Sequence, residues 1–399
     1  MKTEKHDAMR NANILTVLNC IRASGPVAKR GIQAATGLSW GTVSSITAEL
    51  IEKRLLMECT PPDGSIGRPP VRLDICSTRN YIVGLDINIA GLSALLIDLK
   101  CGVRQELHEK PEILEKDRLL EQISGLVRRL IGLAGIPGDS LLGIGIAVQG
   151  SVDSGRGISL FSPFFSGWKD VPLRDLFEKE FQVPVMVIHD PNCMAMAEQW
   201  IGQAQNTQNF ILLRLSTGLG MSFVNGGAIL DGATGTAGEI GHMVVDPDGP
   251  LCSCGNRGCL ESFSSIRGIL ARVKEACACG ELDPGRRYDA SIKDAAAGAR
   301  EGNRALLQIF EDCGFYLGVG VANLINLFNP ALILMAGELA DYQDLFFQKM
   351  LETVRRHAWH LSPIRISFSS LHASAAMGAA IFFVKQVYMG EIGDIKHQH

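Results

Sequence analysis

Three cysteines and a histidine crowd into one short glycine-rich segment, and their spacing constrains this chain more than any other feature. Nine residues separate His242 from Cys252, one separates Cys252 from Cys254, and four separate Cys254 from Cys259. Three thiolates and one imidazole can complete a tetrahedral Zn²⁺ site, and glycines permit the tight turns that gather such ligands. Because four protein ligands leave no open position, the spacing predicts a structural zinc ion.

The compartment decides how the cysteines are interpreted. The N-terminal residues are charged and polar without an apolar export signal, and no run approaches the roughly 18 apolar residues of a membrane span. We therefore expect a cytoplasmic protein with no membrane contact, whose thiols stay reduced. The eight cysteines outside the segment are then expected to be small buried hydrophobes. For the clustered three, the alternative to zinc is a loop of unligated thiols.

Charge is distributed unevenly along the 399 residues. The chain carries a net charge of -4, yet residues 1–80 balance at +4 and the remainder at -8. A basic head on an acidic body is typical of proteins whose head binds nucleic acid. The length and the 46% hydrophobic content predict two or three domains.

The first 80 residues follow the order of a winged helix-turn-helix. A first helix ends near Gly25-Pro26, a second covers about 29–36, Gly37 supplies the turn, and Ser39 is the N-cap of a third. Two extended segments, 55–58 and 71–74, flank a loop too rich in proline and glycine to be a helix or a central strand.

The third helix is the candidate reader of DNA, because the N-terminal residues of a recognition helix meet the base edges in the major groove. The expected contacts are Ser39, Trp40, Thr42, Ser44 and Ser45. For Trp40, packing on the DNA and stapling its helix to a neighbour remain equal alternatives. Arg68, held in the loop by Pro69 and Pro70, is expected to enter the minor groove.

From Tyr81 onward, apolar strands alternate with helical segments, which predicts an α/β body. Residues 81–99 and 210–230 each show a strand, a turn of small residues and a second strand. Such an echo indicates a two-lobed, actin-like body over residues 81–399. We expect a smaller lobe of about 81–193 plus a C-terminal helix at 376–399, and a larger lobe of about 194–375.

A family resemblance rests on the same segment. Glu239-x-Gly-His242, followed by Cys252-x-Cys-Gly-x-x-Gly-Cys-x-Glu261, is similar to the signature of the ROK family of bacterial sugar kinases and sugar-responsive repressors. A winged helix joined to a ROK body resembles the family's repressor branch, which includes the xylose and N-acetylglucosamine repressors. The resemblance implies a hexokinase-like body in which Glu239, His242 and Glu261 hold sugar hydroxyls, and in which Asp190 corresponds to the kinase base.

The chemistry of these side chains suits a carbohydrate. An ionised carboxylate accepts two hydroxyls through charge-assisted bonds. If one nitrogen of His242 binds zinc, its other nitrogen becomes a fixed donor for a sugar oxygen. His189 replaces the sugar-binding asparagine of the kinases, and we interpret Asp190 as a retained sugar ligand.

The phosphate loops of the kinases are only partly kept. ROK kinases have Asp-x-Gly-Gly-Thr in the first loop, where this chain has Asp86-Ile87-Asn88-Ile89-Ala90. A Cβ at these positions blocks the close approach of backbone N–H groups to phosphate. The second loop, Ser216-Thr217-Gly218-Leu219-Gly220, is better kept. We therefore expect no kinase activity and no catalytic residue, with Asp190 the base if a kinase survives.

The resulting prediction is a regulator, more specifically a repressor of carbohydrate-utilisation genes, whose partners are an operator duplex and a sugar or sugar phosphate. Binding two half-sites requires a homodimer or a tetramer. Two alternatives stay open at this point: an active ATP-dependent sugar kinase with a DNA-binding head, and a regulator controlled by a protein partner.

Overall fold

The two ends of the chain combine into one compact unit, and the middle forms another. The first unit comprises Met1–Cys193 with Ala375–His399, and the second unit comprises Met194–Ser374. The computed structural model describes residues 2–59, 71–233, 235–283, 286–359, 364–372 and 374–389. The predicted limits of the domains stay a prediction.

The head, defined here as the described residues up to Cys76, has the predicted winged-helix order. Its elements are α1 (Lys2–Ser24), β1 (Val27–Ala28), α2 (Lys29–Thr36), α3 (Trp40–Glu52), β2 (Leu56–Cys59) and β3 (Arg72–Ile75). The three strands form an antiparallel sheet in the order β1-β3-β2. The sequence prediction missed β1, because a two-residue strand has no periodicity of its own.

Helix limits in the head follow local chemistry. The side chain of Ser39 accepts a hydrogen bond from the backbone N–H of Thr42 at 3.1 Å, as expected of an N-cap. Gly37 ends α2 in the left-handed conformation with φ +69°, which glycine adopts without steric cost. Both ends were predicted from the sequence and are confirmed.

The rest of the first unit is an α/β layer built on a five-stranded sheet. Its elements before the crossing to the second unit are β4 (Tyr81–Asn88), β5 (Gly91–Asp98), β6 (Val103–Glu109), α4 (Lys116–Ala134), β7 (Leu141–Val148), β8 (Ser151–Asp153), β9 (Ile158–Phe161), β10 (Lys169–Val171), α5 (Leu173–Phe181), β11 (Val185–His189) and α6 (Asp190–Ile201). The chain enters the second unit within α6.

The second unit repeats this construction with more helices. Its elements are β12 (Phe210–Leu215), β13 (Leu219–Asn225), β14 (Ala228–Ile229), a 3₁₀ turn (Ile240–His242), α7 (Leu260–Ser264), α8 (Ile266–Ala278), α9 (Ile292–Arg300), α10 (Arg304–Phe328), β15 (Leu332–Ala336), a second 3₁₀ segment (Glu338–Leu345), α11 (Phe347–His357) and β16 (Arg365–Phe368). Helix α12 (Ser374–Met389) then returns the chain to the first unit.

The main sheets of the two units have the same topology. Their strand orders are β6-β5-β4-β7-β11 and β14-β13-β12-β15-β16. In each, the first three strands pair antiparallel and the last two are added in parallel. The faint internal echo in the sequence therefore corresponds to a duplicated fold, and the predicted two-lobed α/β architecture is confirmed.

Helix α10 passes a length and composition test for a membrane-spanning helix, with a mean hydropathy of 1.3. Its apolar residues pack into the core of the second unit, where Phe310, Leu317 and Val321 are at most 1% exposed. A buried core helix accounts for this composition.

Helix α12 lies directly on two glycines of the first sheet. A Cβ built on Gly84 would lie 2.1 Å from the carbonyl oxygen of Ala376, and one on Gly145 would lie 2.1 Å from that of Ala379. Because both obstacles are backbone atoms, no side-chain rotation can relieve the clash. The two glycines thus set the distance between α12 and the sheet.

Replacing Gly84 with alanine is expected to destabilise the protein by about 1–3 kcal/mol, because α12 must shift away from the sheet. The matched control is Gly125→Ala in α4, where an added Cβ meets nothing within 4 Å. There we expect stabilisation by about 0.5–1 kcal/mol. Urea unfolding of both variants measures the difference, and equal stabilities would contradict the close contact.

Candidate functional site

The four residues singled out by spacing come together in the second unit. The ligand atoms of His242, Cys252, Cys254 and Cys259 all lie within 4.8 Å of one another, so this group could hold a metal ion. His242 Nδ1 is 3.7 Å from Cys252 Sγ, and Cys254 Sγ is 3.7 Å from Cys259 Sγ. A disulfide needs about 2.05 Å between sulfurs, so the thiols are free.

The loop that carries the cysteines is a small, tightly hydrogen-bonded hairpin. The N–H of Cys252 donates to the carbonyl of Asn256 at 2.7 Å, and the N–H of Gly258 donates to that of Pro250 at 2.8 Å. Gly258 has φ +67°, and a Cβ there would lie 1.4 Å from the carbonyl oxygen of Asp246. Glycine is therefore required at this position to close the hairpin.

The crowding of the sulfurs perturbs the thiols in opposite directions. For Cys252, burial raises the pKa, but hydrogen bonds from Cys254, His242 and Cys259 outweigh burial and lower it to about 7. For Cys259, burial and the neighbouring sulfurs raise the pKa to about 12. Three thiolates at this distance repel one another, and a divalent cation would remove that repulsion.

Glu261 follows the last cysteine by two residues and is only 7% exposed. Its Oε2 accepts the backbone N–H of Leu219 at 3.1 Å, and its Oε1 pairs with the guanidinium of Arg267. The same Nη2 of Arg267 donates to Ser253 Oγ at 2.8 Å, between two of the clustered cysteines. Arg267 thus links the cysteine hairpin to the carboxylate of Glu261.

The sequence interpretation missed Arg267, because nothing in its local pattern marks it. It lies six residues beyond Glu261, in the first turn of the following helix α8. The break at Ser265, whose extended backbone separates α7 from α8, lies between the two residues and could not be placed from the sequence.

The other predicted sugar ligands of the second unit, Glu239 and His242, precede the cysteine hairpin in the sequence. Glu239 is exposed, and His242 is half-buried in a 3₁₀ turn whose N–H groups bond back to Glu239 and Ile240. This turn fixes His242 so that its Nδ1 faces the sulfurs.

In the first unit, His189 and Asp190 lie where β11 meets α6. Asp190 is 1% exposed, and its Oδ1 is 3.5 Å from Nε2 of His189. Burial, with Asp190 and Asp86 nearby, raises the pKa of the Cys193 thiol well above its usual value. Asp86, the first residue of the loop 86–90, and Asp190, the predicted sugar ligand, therefore both lie near the Cys193 thiol.

The loop 86–90 directs two of its backbone donors onto side-chain amides of the protein. The N–H of Ala90 donates to Oδ1 of Asn88 at 3.0 Å, and the N–H of Ile89 donates to Oε1 of Gln149 at 3.4 Å. The two acceptor residues, Asn88 and Gln149, are each 5% exposed. Two donors that a phosphate loop would offer to its ligand are thereby occupied.

The loop 216–220 behaves in the same way. The N–H of Ser216 donates to the carbonyl of Gly218, and that of Leu219 donates to Glu261. The carbonyls of Ser216 and Thr217 accept the N–H groups of Ile266 and Arg267 at the start of α8. The loop thus also caps the start of α8 through two of its carbonyl groups.

In the head, α3 presents its predicted contact residues at its N-terminal end. Ser39, Trp40 and Ser45 are exposed, while Thr42 and Ser44 are half-buried. The inward face consists of Val43, Ile46, Thr47 and Leu50. Trp40 is 48% exposed, which favours an external contact over the stapling alternative. Arg68 lies outside the described residues.

Residues 82–386 match the ROK family. The chain belongs to the ROK family. Two relatives that match it over most of its length are named a repressor and a transcriptional regulator. It is 31% identical to the xylose repressor of Bacillus spizizenii, over 87% of either chain. It is 29% identical to the DNA-binding transcriptional dual regulator NagC of Escherichia coli K12, over 84% of this chain and 82% of NagC.

Solved structures of the ROK family that resemble this chain include a transcriptional regulator and a sugar kinase. The ROK family transcriptional regulator described as a homolog of E. coli MLC protein superposes with a TM-score of 0.83 at 27% identity, covering 97% of this chain and 98% of that one. The ROK hexokinase of Thermus thermophilus reaches 0.64 at 27% identity, covering 75% of this chain and 97% of the hexokinase. The ROK hexokinase therefore matches about three quarters of this chain, whereas the regulator matches nearly all of it.

Glu261→Ala is expected to destabilise this ROK chain by about 1–3 kcal/mol, because the N–H of Leu219 and the guanidinium of Arg267 lose their buried acceptor. Glu275→Ala on the exposed side of α8 is the control, with an expected change below about 0.5 kcal/mol. Denaturant unfolding of the two variants checks the prediction. Equal effects would mean that Glu261 is not a structural acceptor.

Proposed function

We propose that this protein is a sugar-responsive transcriptional repressor. It reads operator DNA with the N-terminal end of α3, binds a sugar or sugar phosphate through its ROK body, and contains one structural zinc ion. It works in the cytoplasm as a homodimer or a tetramer. Related chains that match most of its length are named a xylose repressor, a DNA-binding transcriptional dual regulator and a ROK family transcriptional regulator, and the chain is accordingly a regulator and not an enzyme.

The observation that carries the proposal is the exposed end of α3 on a head of winged-helix order. Ser39, Trp40 and Ser45 offer hydroxyls and an aromatic face to solvent, while the buried face holds the helix on α1 and α2. A recognition helix needs this division between an anchored face and a free N-terminal end. Arg68 remains our candidate for the minor groove.

The cysteine hairpin fits zinc on distance and on donor type. Metal–sulfur bonds of about 2.3 Å and a metal–nitrogen bond of about 2.0 Å at tetrahedral angles separate neighbouring ligand atoms by roughly 3.5–3.8 Å. The separation of His242 Nδ1 from Cys252 Sγ and that of Cys254 Sγ from Cys259 Sγ, both 3.7 Å, agree with that geometry, and all four ligand atoms lie within 4.8 Å of one another. Four protein ligands support a structural role for the ion.

The proposed sugar ligands are His189, Asp190, Glu239, His242 and Glu261. Glu261 uses one lone pair of each oxygen within the protein, and a carboxylate has about four acceptor sites. It therefore retains capacity for a sugar hydroxyl while Arg267 and Leu219 hold it in place. His242 joins the metal ligands to the sugar ligands, so loss of zinc is expected to weaken sugar binding.

The kinase alternative is disfavoured by the hydrogen bonding of the two phosphate-type loops. Phosphoryl transfer depends mostly on positioning and on stabilising charge, and a base such as Asp190 contributes little without a phosphate cradle. ATP turnover with hexoses or pentoses in a coupled assay would contradict this assignment. Control by a protein partner, the other alternative, predicts operator binding that no sugar alters.

Selection of bound duplexes from random DNA, repeated with each candidate sugar, tests the function. We expect a two-fold symmetric operator and its release by one sugar. Ser45→Asp should weaken operator binding about tenfold or more, since a carboxylate faces the DNA phosphates. Asn19→Asp, which adds the same charge to the exposed side of α1, is the control. Failure to enrich any duplex at low salt would refute DNA binding.

Elemental analysis of the purified chain is expected to give about one zinc per chain. Cys254→Ser should lose the ion and lower the melting temperature, because a ligand bound only to the folded state stabilises it. Cys279→Ser removes an exposed thiol outside the hairpin and should change neither value. If the purified wild-type chain contains no zinc, and if a chelator leaves its melting temperature unchanged, the structural ion is ruled out.

A further inference from the structure

The head is fastened to the body of the first unit by an ion pair that the proposed function leaves unassigned. Lys100, in the turn between β5 and β6, places Nζ 2.6 Å from Oδ2 of Asp74 on β3 of the head. The Asp74 side chain is 13% exposed and that of Lys100 is 35% exposed. Partial burial makes such a pair stronger than one on an open surface.

Asp74 is placed where its charge needs a partner. Its Oδ1 accepts the backbone N–H of Ile75 at 2.9 Å, and a Cβ on Gly25 would lie 2.7 Å from the same atom. Gly25 directly follows the C-terminal end of α1, where the helix dipole disfavours a negative charge. Lys100 offsets this repulsion with a cation supplied by the body.

The turn that carries Lys100 is held together by hydrogen bonds to Asp98. Asp98, 3% exposed, accepts the N–H groups of Lys100 at 2.8 Å and Gly102 at 3.0 Å. Its other oxygen accepts a hydrogen bond from Arg104 at 2.8 Å. Lys100 is therefore presented to the head from a fixed backbone.

The connection between head and body is also held at both sides. Arg104 donates to the carbonyl of Ser77 at 3.2 Å, and Asn80 donates through Nδ2 to the carbonyl of Arg54 in the head at 3.1 Å. Residues 76–80 are thus bound to the body at one point and to the head at another. A flexible tether would lack both bonds.

The C-terminal helix braces the same turn from its other side. Tyr388, 1% exposed near the end of α12, donates its hydroxyl to the carbonyl of Leu99 at 2.5 Å. The turn 98–102 therefore contacts the head through Lys100 and the C-terminal helix through Leu99.

We propose that Lys100 and Asp74 are positioning residues for operator binding, which hold the reading head at one orientation on the body. The inference rests on the proposed function, in which an oligomer places two heads on two half-sites. Two half-sites are about one helical turn, 34–36 Å, apart, so both heads must face the DNA together. A head released from Lys100 still fits one half-site. Binding two half-sites then loses orientational entropy, which lowers the affinity for the full operator.

The test uses the full-length, metal-containing protein and the duplex that the wild-type chain selects from random DNA. Three probes are compared: the selected duplex, the same duplex with one half-site scrambled, and one with five base pairs inserted between half-sites. Lys100→Met should bind the single half-site within about twofold of wild type, but the full duplex about tenfold more weakly. The penalty that wild type shows for the insertion should shrink in the variant.

Two further variants keep the result interpretable. Asp74→Asn breaks the same pair from the head, and the double variant should lose no more than either single one, since both remove one interaction. Lys100→Arg retains the cation and should behave like wild type. Lys116→Met is the control for loss of a lysine, because Lys116 pairs with Asp117 of its own helix at 3.4 Å.

The outcomes separate positioning from folding. Equal losses of affinity for the single half-site and for the full duplex would show that the ion pair only stabilises the head. An unchanged penalty for the insertion would show that the ion pair does not orient the head. Either result overturns the proposal. A wild-type chain that selects no duplex refutes the proposed function itself, and the positioning role with it.

Discussion

Backbone donors that cannot reach water must find an acceptor inside the protein, and this requirement shapes the loops on which function depends. In the loop 86–90 the acceptors are the amide oxygens of Asn88 and Gln149. In the loop 216–220 the acceptors include Glu261. A loop whose N–H groups already have acceptors within the protein has fewer of them to offer a phosphate.

Two side chains connect the cysteine hairpin to the proposed sugar ligands. Arg267 bonds to Ser253 within the hairpin and to Glu261 beyond it, while His242 belongs both to the four-ligand group and to the family's sugar motif. The geometry of the four-ligand group and that of the carboxylate are therefore linked by one small set of side chains. In the proposed function, an ion held by this group would influence sugar affinity without touching the sugar.

In the first unit, an ion pair links the body to the head that carries α3. Lys100 reaches Asp74 from a turn that Asp98 stiffens and Tyr388 braces. Helix α12 runs from the covalent crossing between the units at residue 374 to this turn. Its close packing on Gly84 and Gly145 keeps it in a fixed position on the sheet.

The sequence by itself determined the elements whose signals are local: the ends of α2 and α3 at Gly37 and Ser39, the strands β4, β5, β7, β11, β12 and β15, and the His242–Cys259 spacing. These follow from periodicity, capping and turn chemistry over a few residues. Only the tertiary structure decided what Glu261, Gln149 and Lys100 do, because their partners are 42, 60 and 26 residues away. A charge or an amide in a sequence shows that a partner is needed, whereas the choice of partner depends on how the chain packs.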